Sequence, residues 1–321
     1  MITVFVRESG GVTQVVEAVR PEWLAAGSGV MVWVDLASPT PEEGRILDEV
    51  FHFHPLSVED AQSALQFPKI ETYPGYLYVV LHGVDVQADT AGIATRDVDF
   101  FVGANFLVTI HDGGSRSIAR LRTVCGEHAH ILAEGPVAMM HRIVDTMVDN
   151  YRPAMNAIET RIETLEDEAF QGQEQMVRQV LHLRRDLGFM RRVLTPQRDV
   201  IARLARREFP MIGDEMAYRF RDVHDHVVRL TDETILFQDR LTGIVDVHYA
   251  TVSNRMNQVM KLLTVMSTIF LPLTVLTGMW GMNIPVPHFA GPASSQFWWI
   301  LALMLAISFA MIAVFRRNDW I

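Results

Sequence analysis

The 321-residue chain contains one cysteine, Cys125. A lone thiol excludes a disulfide framework and any metal centre built from several cysteines, and its ordinary place is that of a small buried hydrophobe. There is no GxxxxGK[ST] loop to cradle ATP, no HExxH and no Gly-x-Ser-x-Gly, so no enzyme motif of those classes is present. Basic residues are in the minority, 28 Lys and Arg against 38 Asp and Glu, for a formal net charge of −10. That balance argues against a general nucleic-acid binder and suits a surface that meets cations. The most informative absence is local: from Leu262 to Phe315 there is no Asp, Glu, Lys or Arg.

That uncharged stretch holds two apolar runs. The first, "LLTVMSTIFLPLTVLTGMWGM", is 21 residues and the second, "FWWILALMLAISFAMIAVF", is 19. Each is long enough to cross a hydrocarbon core of about 30 Å as a helix rising about 1.5 Å per residue. Trp298 and Trp299 open the second run at one interface, and Arg316 and Arg317 close it at the other. Two buried core helices of a soluble protein are the competing reading. Lys261 precedes the first run and the loop between the runs has no basic residue, so both termini are expected in the cytoplasm. The start, "MITVFVRESGG", lacks the basic n-region and long apolar run of a secretory signal. The expectation is a large cytoplasmic part on a short membrane hairpin.

Up to about residue 112 the pattern is α/β. "ITVFVR", "VMVWVDL", "YLYVVLHGVDV", "VDFFVG" and "NFLVTIHD" predict strands, and "SPTPEEGRILDEVF" and "HPLSVEDAQSAL" predict helices between them. Beyond, strand signals vanish. One helix is predicted near 115–133, a long one over 137–170, and another from the "QGQEQ" turn to about 207. The first arm of this hairpin ends acidic and the second is rich in arginine, which predicts mutual pairing, with an acidic or basic regulatory surface as the alternative. The longest element runs from about Asp214 without proline until Pro272, with apolar or small residues at 223, 227, 230, 234, 237, 241, 244, 248 and 251. A helix of that length must pack against its own copies or against the preceding helices. The expected division is 1–135, a cytoplasmic α/β domain; 136–213, a helical hairpin; 214–283, a stalk helix continuing into the first span; 284–296, an extracytoplasmic loop; 297–315, the second span; and 316–321, a basic tail.

Continued into the first span from Asn257, the same spacing gives Met260, Thr264, Ser267, Leu271, Thr274, Gly278 and Gly281. This face is small or polar, whereas Leu262, Val265, Ile269, Phe270 and Leu276 fill the rest. Two readings stand: small residues that let helices pack closely, or a face that several copies turn toward a shared axis to line a path for a hydrated cation. Two spans cannot enclose a pore, so the second requires a homo-oligomer. The stripe ends at Gly281-Met282-Asn283, followed by Pro285 and Pro287. A ring of Asn side chains and carbonyls there can bind the waters of Mg²⁺, which gives them up reluctantly. An ordinary Gly-Asn helix end is the alternative.

The run "SNRMNQVMKLLTVMSTIFLPLTVLTGMWGMN", a second span and a short basic tail, together with "HPLSVEDA", "FPKIETYPGYLYVVL" and "FRDVHDHV", strongly resemble the CorA family of divalent-cation channels across nearly the whole chain. The resemblance implies a homopentamer in a bacterial-type inner membrane that carries Mg²⁺ inward, and Co²⁺ or Ni²⁺ besides. It implies a selectivity filter of Gly281, Met282 and Asn283 and pore-lining roles for Asn257, Met260, Leu263, Ser267, Leu271 and Thr274. Leu263 differs by one position from Thr264 of the spacing. Asp60 and Asp222 match a carboxylate pair where intracellular Mg²⁺ holds the closed state at a subunit interface. The loop "IPVPHFAGPASSQ" departs from many members in having no acidic residue, only His288, which puts the transported ion in doubt. The related zinc-transporting ZntB branch, coupled to protons, shares this architecture, and the intact Met282 favours the magnesium branch. His224, Asp225 and His226 are candidates for an additional softer metal, Zn²⁺ included, as are the pairs His52/His54 and His128/His130; such histidines are more often solvated or core residues. A membrane-anchored metal sensor is the remaining rival.

Overall fold

Runs of β-branched and aromatic residues at period two build a seven-stranded sheet. A computed structural model describes residues 1–25, 27–63, 66–85, 94–127, 131–282, 293–318 and 320. The strands are β1 (Ile2–Glu8), β2 (Gln14–Val16), β3 (Val30–Ala37), β4 (Lys69–Tyr73), β5 (Tyr76–Asp85), β6 (Ala94–Gly103) and β7 (Phe106–His111). Their order is β2-β1-β3-β7-β6-β5-β4, with β3 and β7 parallel and the other neighbours antiparallel. The five predicted strands are present. β2 and β4 are additional: three residues are too short for a periodic signal, and "KIETY" is short and largely polar.

Short helices α1 (Pro41–Gly44), α2 (Ile46–Glu49) and α3 (Pro55–Gln62) accompany one face of the sheet. Leu47 and Phe53 join Val32, Val34, Leu36, Tyr78, Val80, Phe101 and Val108 in its core. The alternate residues of the central strands, among them Trp33, Val79, Phe100 and Leu107, are also buried. Both faces of the sheet are therefore covered, which explains why these strands are apolar nearly throughout. Gly103 is required at the β6–β7 turn, because a Cβ there would lie 2.2 Å from the Phe106 ring.

The remaining helices are α4 (Arg116–Glu127), α5 (Pro136–Asp149), α6 (Tyr151–Gln171), α7 (Gln175–Ala205), α8 (Asp214–Trp280) and α9 (Ala293–Arg317). The helix predicted over 137–170 is two helices that meet at Asn150. Pro153 causes the break, since it has no N–H for the Asp149 carbonyl and its ring crowds that oxygen. β4 pairs with β5 only as far as Val80. Beyond it, the His82 N–H donates to Gln197 Oε1 of α7 at 2.7 Å, and the His82 carbonyl accepts from the Tyr151 hydroxyl of α6 at 3.0 Å.

The chain divides into two compact units, Met1–Glu168 with Glu174–Val245, and Ala169–Gln173 with Asp246–Ile321. In the first, Val223, Val227, Leu230, Thr234, Phe237, Leu241 and Ile244 of α8 are all buried. The 4-3 spacing is thus the packing face of the stalk, used within one chain. The expected pairing of α6 with α7 is corrected. Arg240 of α8 donates to both oxygens of Glu166 at 3.0 Å, and Arg152 of α6 reaches Glu233 of α8 at 2.9 Å. Among the described residues no ion pair joins α6 to α7. α8 lies against the hairpin and takes up part of its charge, while Arg178, Arg185 and Arg192 of α7 are exposed.

Candidate ion path and regulatory carboxylates

In the second unit, the apolar end of α8 and the segment Ser295–Arg317 of α9 are each long and apolar enough to cross a membrane. Val265 is buried, and Ile269, Pro272, Leu276 and Trp280 are half-buried. On α9 half-burial recurs at Leu301, Met304, Ile307, Met311 and Phe315. Helical spacing of three and four on both segments marks one packed face on each.

The stripe lies elsewhere on α8. Asn257, Met260, Thr264, Ser267, Leu271, Thr274, Gly278 and Gly281 are all exposed in the single chain. At about 100° per residue they centre roughly opposite the packed face. Leu263 is exposed as well, so both positions at that level are bare. The Thr264 hydroxyl donates to the Met260 carbonyl at 2.8 Å, and Thr274 donates to Phe270 at 2.8 Å. With the proton held by the helix, each hydroxyl oxygen keeps lone pairs for outside partners such as ion-bound water.

At the end of α8 the Gly281 N–H still donates to the Thr277 carbonyl at 2.9 Å. A Cβ at Gly281 would lie 3.1 Å from that same oxygen, a tight contact. Met282 is exposed; Asn283, His288 and the rest of the loop to 292 lie outside the described residues.

Asp60 sits in the last turn of α3. The helix starts at His54, whose Nδ1 accepts from the Leu56 N–H at 3.2 Å and whose own N–H donates to the Tyr76 hydroxyl at 2.9 Å. His54 is thus occupied as a helix cap, and His52 Nδ1 lies 2.8 Å from the Asp48 carbonyl. The Asp60 carboxylate pairs with Lys69 of β4, whose ammonium is also 3.4 Å from Glu71. Tyr73 donates to Glu71 at 2.9 Å. Lys69 Nζ stands 5.2 Å from the centre of the Tyr78 ring, and the Tyr78 hydroxyl donates to buried Asp99 at 2.5 Å. Burial pushes the Asp99 carboxyl up to about 8.

Asp222 is exposed on α8. Across from it on α5 stands half-buried Asp145. Its carboxyl is raised first by burial, then by Asp149 and Asp222, while His141 and His226 oppose the rise. His224 lies 3.3 Å from Asp225. Among the described residues no group of three His, Cys, Asp or Glu could enclose a metal ion, and within one chain no hydrogen bond or ion pair joins Asp60 to Asp222. Both offer carboxylate oxygens at a wet surface, which fits a cation that keeps most of its waters and takes one or two carboxylates. His128 and His130 lie outside the described residues.

Lys69, Glu71 and Asp145 are the neighbours that the sequence did not offer. Once "KIETY" is placed as a strand, alternation puts Lys69, Glu71 and Tyr73 on one face.

Three comparisons bear on this arrangement. YfjQ of Bacillus subtilis is 32% identical over 292 residues, 90% of this chain and 89% of that one. The cobalt/magnesium transport protein CorA of Thermotoga maritima is 29% identical over 279 residues, 85% and 78% of the two chains. The solved CorA magnesium transporter of Methanocaldococcus jannaschii shares the fold with a TM-score of 0.84 at 23% identity, over 99% of this chain and 98% of that one. The model of the CorA-like Mg²⁺ transporter proteins matches residues 28–317, and with two apolar membrane-length helices and the bare stripe in place, the chain belongs to that family.

Proposed function

We propose that this protein is a divalent-cation channel that admits Mg²⁺, with Co²⁺ and Ni²⁺ as further cargo, driven by the membrane potential. It assembles as a homopentamer in a bacterial-type inner membrane, spans the bilayer twice and keeps both termini in the cytoplasm. The observation that carries the reading is the position of the stripe: Asn257 to Gly281 is exposed and faces away from the packed side of α8. Small residues serving only to seat α9 would lie on the packed side. Copies arranged about an axis would turn the stripe inward, where Asn257, Ser267, Thr264 and Thr274 offer oxygens to a hydrated ion and Met260 and Leu271 narrow the path. Gly281, Met282 and Asn283 form the filter at its outer end. A divalent ion gains about 4.6 kcal/mol per 100 mV, which is sufficient drive without ATP.

Asp60 and Asp222 of adjacent subunits face each other as the regulatory pair. Two carboxylates repel unless a cation bridges them, so falling internal Mg²⁺ releases the closed state. Proton-coupled Zn²⁺ transport of the ZntB type is the second reading, favoured by the absence of acid from the loop after residue 283; the relatives named for cobalt and magnesium transport support the first.

The test is Mg²⁺ entry into indicator-loaded proteoliposomes under an inside-negative potential. Wild type admits Mg²⁺ and Asn283→Ala admits little or loses selectivity. Zn²⁺ entry that depends on a proton gradient, with no Mg²⁺ entry, would move the protein to the zinc branch. No flux of either ion from assembled protein would leave the hairpin as an anchor.

A further inference from the structure

We infer that Lys69 is a resident counter-ion of Asp60, which an arriving divalent cation must displace. Lys69 would thereby set the concentration at which the regulatory carboxylate fills. The inference rests on the reading of Asp60 as a regulatory ligand and adds the element that tunes it.

The geometry has three parts. The Lys69 ammonium pairs with Asp60 across the gap between β4 and α3, with both side chains about a third exposed or less. A second carboxylate, Glu71, stands 3.4 Å from the same ammonium and is held by the Tyr73 hydroxyl. The Tyr78 ring lies 5.2 Å from Nζ and favours a cation there whichever carboxylate it binds. Lys69 therefore has somewhere to go: displaced from Asp60, it stays paired with Glu71 and over the ring. Exchange of a monovalent ammonium for a divalent cation at Asp60 then leaves no buried charge alone, which keeps the swap reversible. In the unfilled state the ammonium also tempers the charge that Asp60 presents to another chain.

The test is the Mg²⁺ dependence of thermal unfolding of the full-length protein in detergent, since a ligand that binds only the folded assembly raises its melting temperature. Lys69→Met keeps the aliphatic stem and removes the competitor. It should reach half of the Mg²⁺-induced shift at a Mg²⁺ concentration roughly three- to fivefold lower than wild type, the size expected from losing a partly exposed ion pair. Lys69→Arg, which keeps the charge, should stay within about twofold of wild type on the same scale. Asp60→Asn should lose most of the shift. A Lys69→Met midpoint equal to or above wild type, with Asp60→Asn still losing the shift, would overturn the role of Lys69 and leave Asp60 as the ligand. An Asp60→Asn shift equal to wild type would remove the regulatory reading and the counter-ion with it.

Discussion

Asp99 has a carboxyl whose ordinary value of 3.8 is pushed to about 8 by burial first, against the Tyr78 hydroxyl, which donates to it at 2.5 Å and opposes the rise. The folded state therefore holds a proton that the unfolded chain releases above pH ~4. Its contribution to stability is complete below that value and is lost progressively as pH rises to about 8. Asp99→Asn keeps an acceptor for Tyr78 without the proton. The difference in melting temperature between the variant and wild type should grow from pH 5 to pH 8 and then level off; a difference independent of pH would contradict the assignment. Other residues show what the sequence could disclose on its own. Asp60 and Asp222 stand in recognisable strings, "HPLSVEDA" and "FRDVHDHV". Lys69 also stands in such a string, "FPKIETYPGYLYVVL", but its meaning depends on β4 lying beside the end of α3, a contact made by chain topology. Asp145 is obscured for the same reason: only the packing of α5 near Asp222 and His226 gives it a role.

Helices were more legible than strands. The 4-3 spacing along α8 survives as a row of buried residues from Val223 to Ile244 and reappears, turned toward the exterior, as the stripe from Asn257. Period and proline content were sufficient for that. The break at Asn150 was also written in the sequence, in Pro153, but the apolar pattern of Val144, Met147, Val148 and Tyr151 runs through it and masks it. Charge was the least reliable guide. Acidic α6 beside basic α7 suggested a pair, yet Glu166 faces α8 and binds Arg240 through two hydrogen bonds. Arg240→Ala should therefore destabilise the first unit by about 1 kcal/mol, read as a lower denaturation midpoint. Arg185→Ala, on the exposed side of α7, should leave that midpoint unchanged. Equal effects would return the pairing to α6 and α7.

At the scale of the whole molecule, one chain leaves two features without partners. A membrane helix that exposes Thr, Ser and Asn along one line has polar groups that lipid does not satisfy. Among the described residues, Asp60 and Asp222 likewise belong to no group that could enclose a metal ion within a single chain. Several copies about an axis, as proposed, would meet both deficits. The stripe itself gives the most direct test. Cys125 is buried and its thiol is pushed up to about 12 by burial, so the native protein offers a thiol reagent little to attack. Ser267→Cys, Thr274→Cys and Met266→Cys place one new thiol each, the last exposed in the single chain but a third of a turn from the stripe. Mg²⁺ entry into proteoliposomes would be followed before and after a charged methanethiosulfonate reagent. The account predicts that modification at 267 and 274 blocks entry while 266 stays open. Block at 266 with none at 267 and 274 would place the ion path on another face of α8 and contradict it.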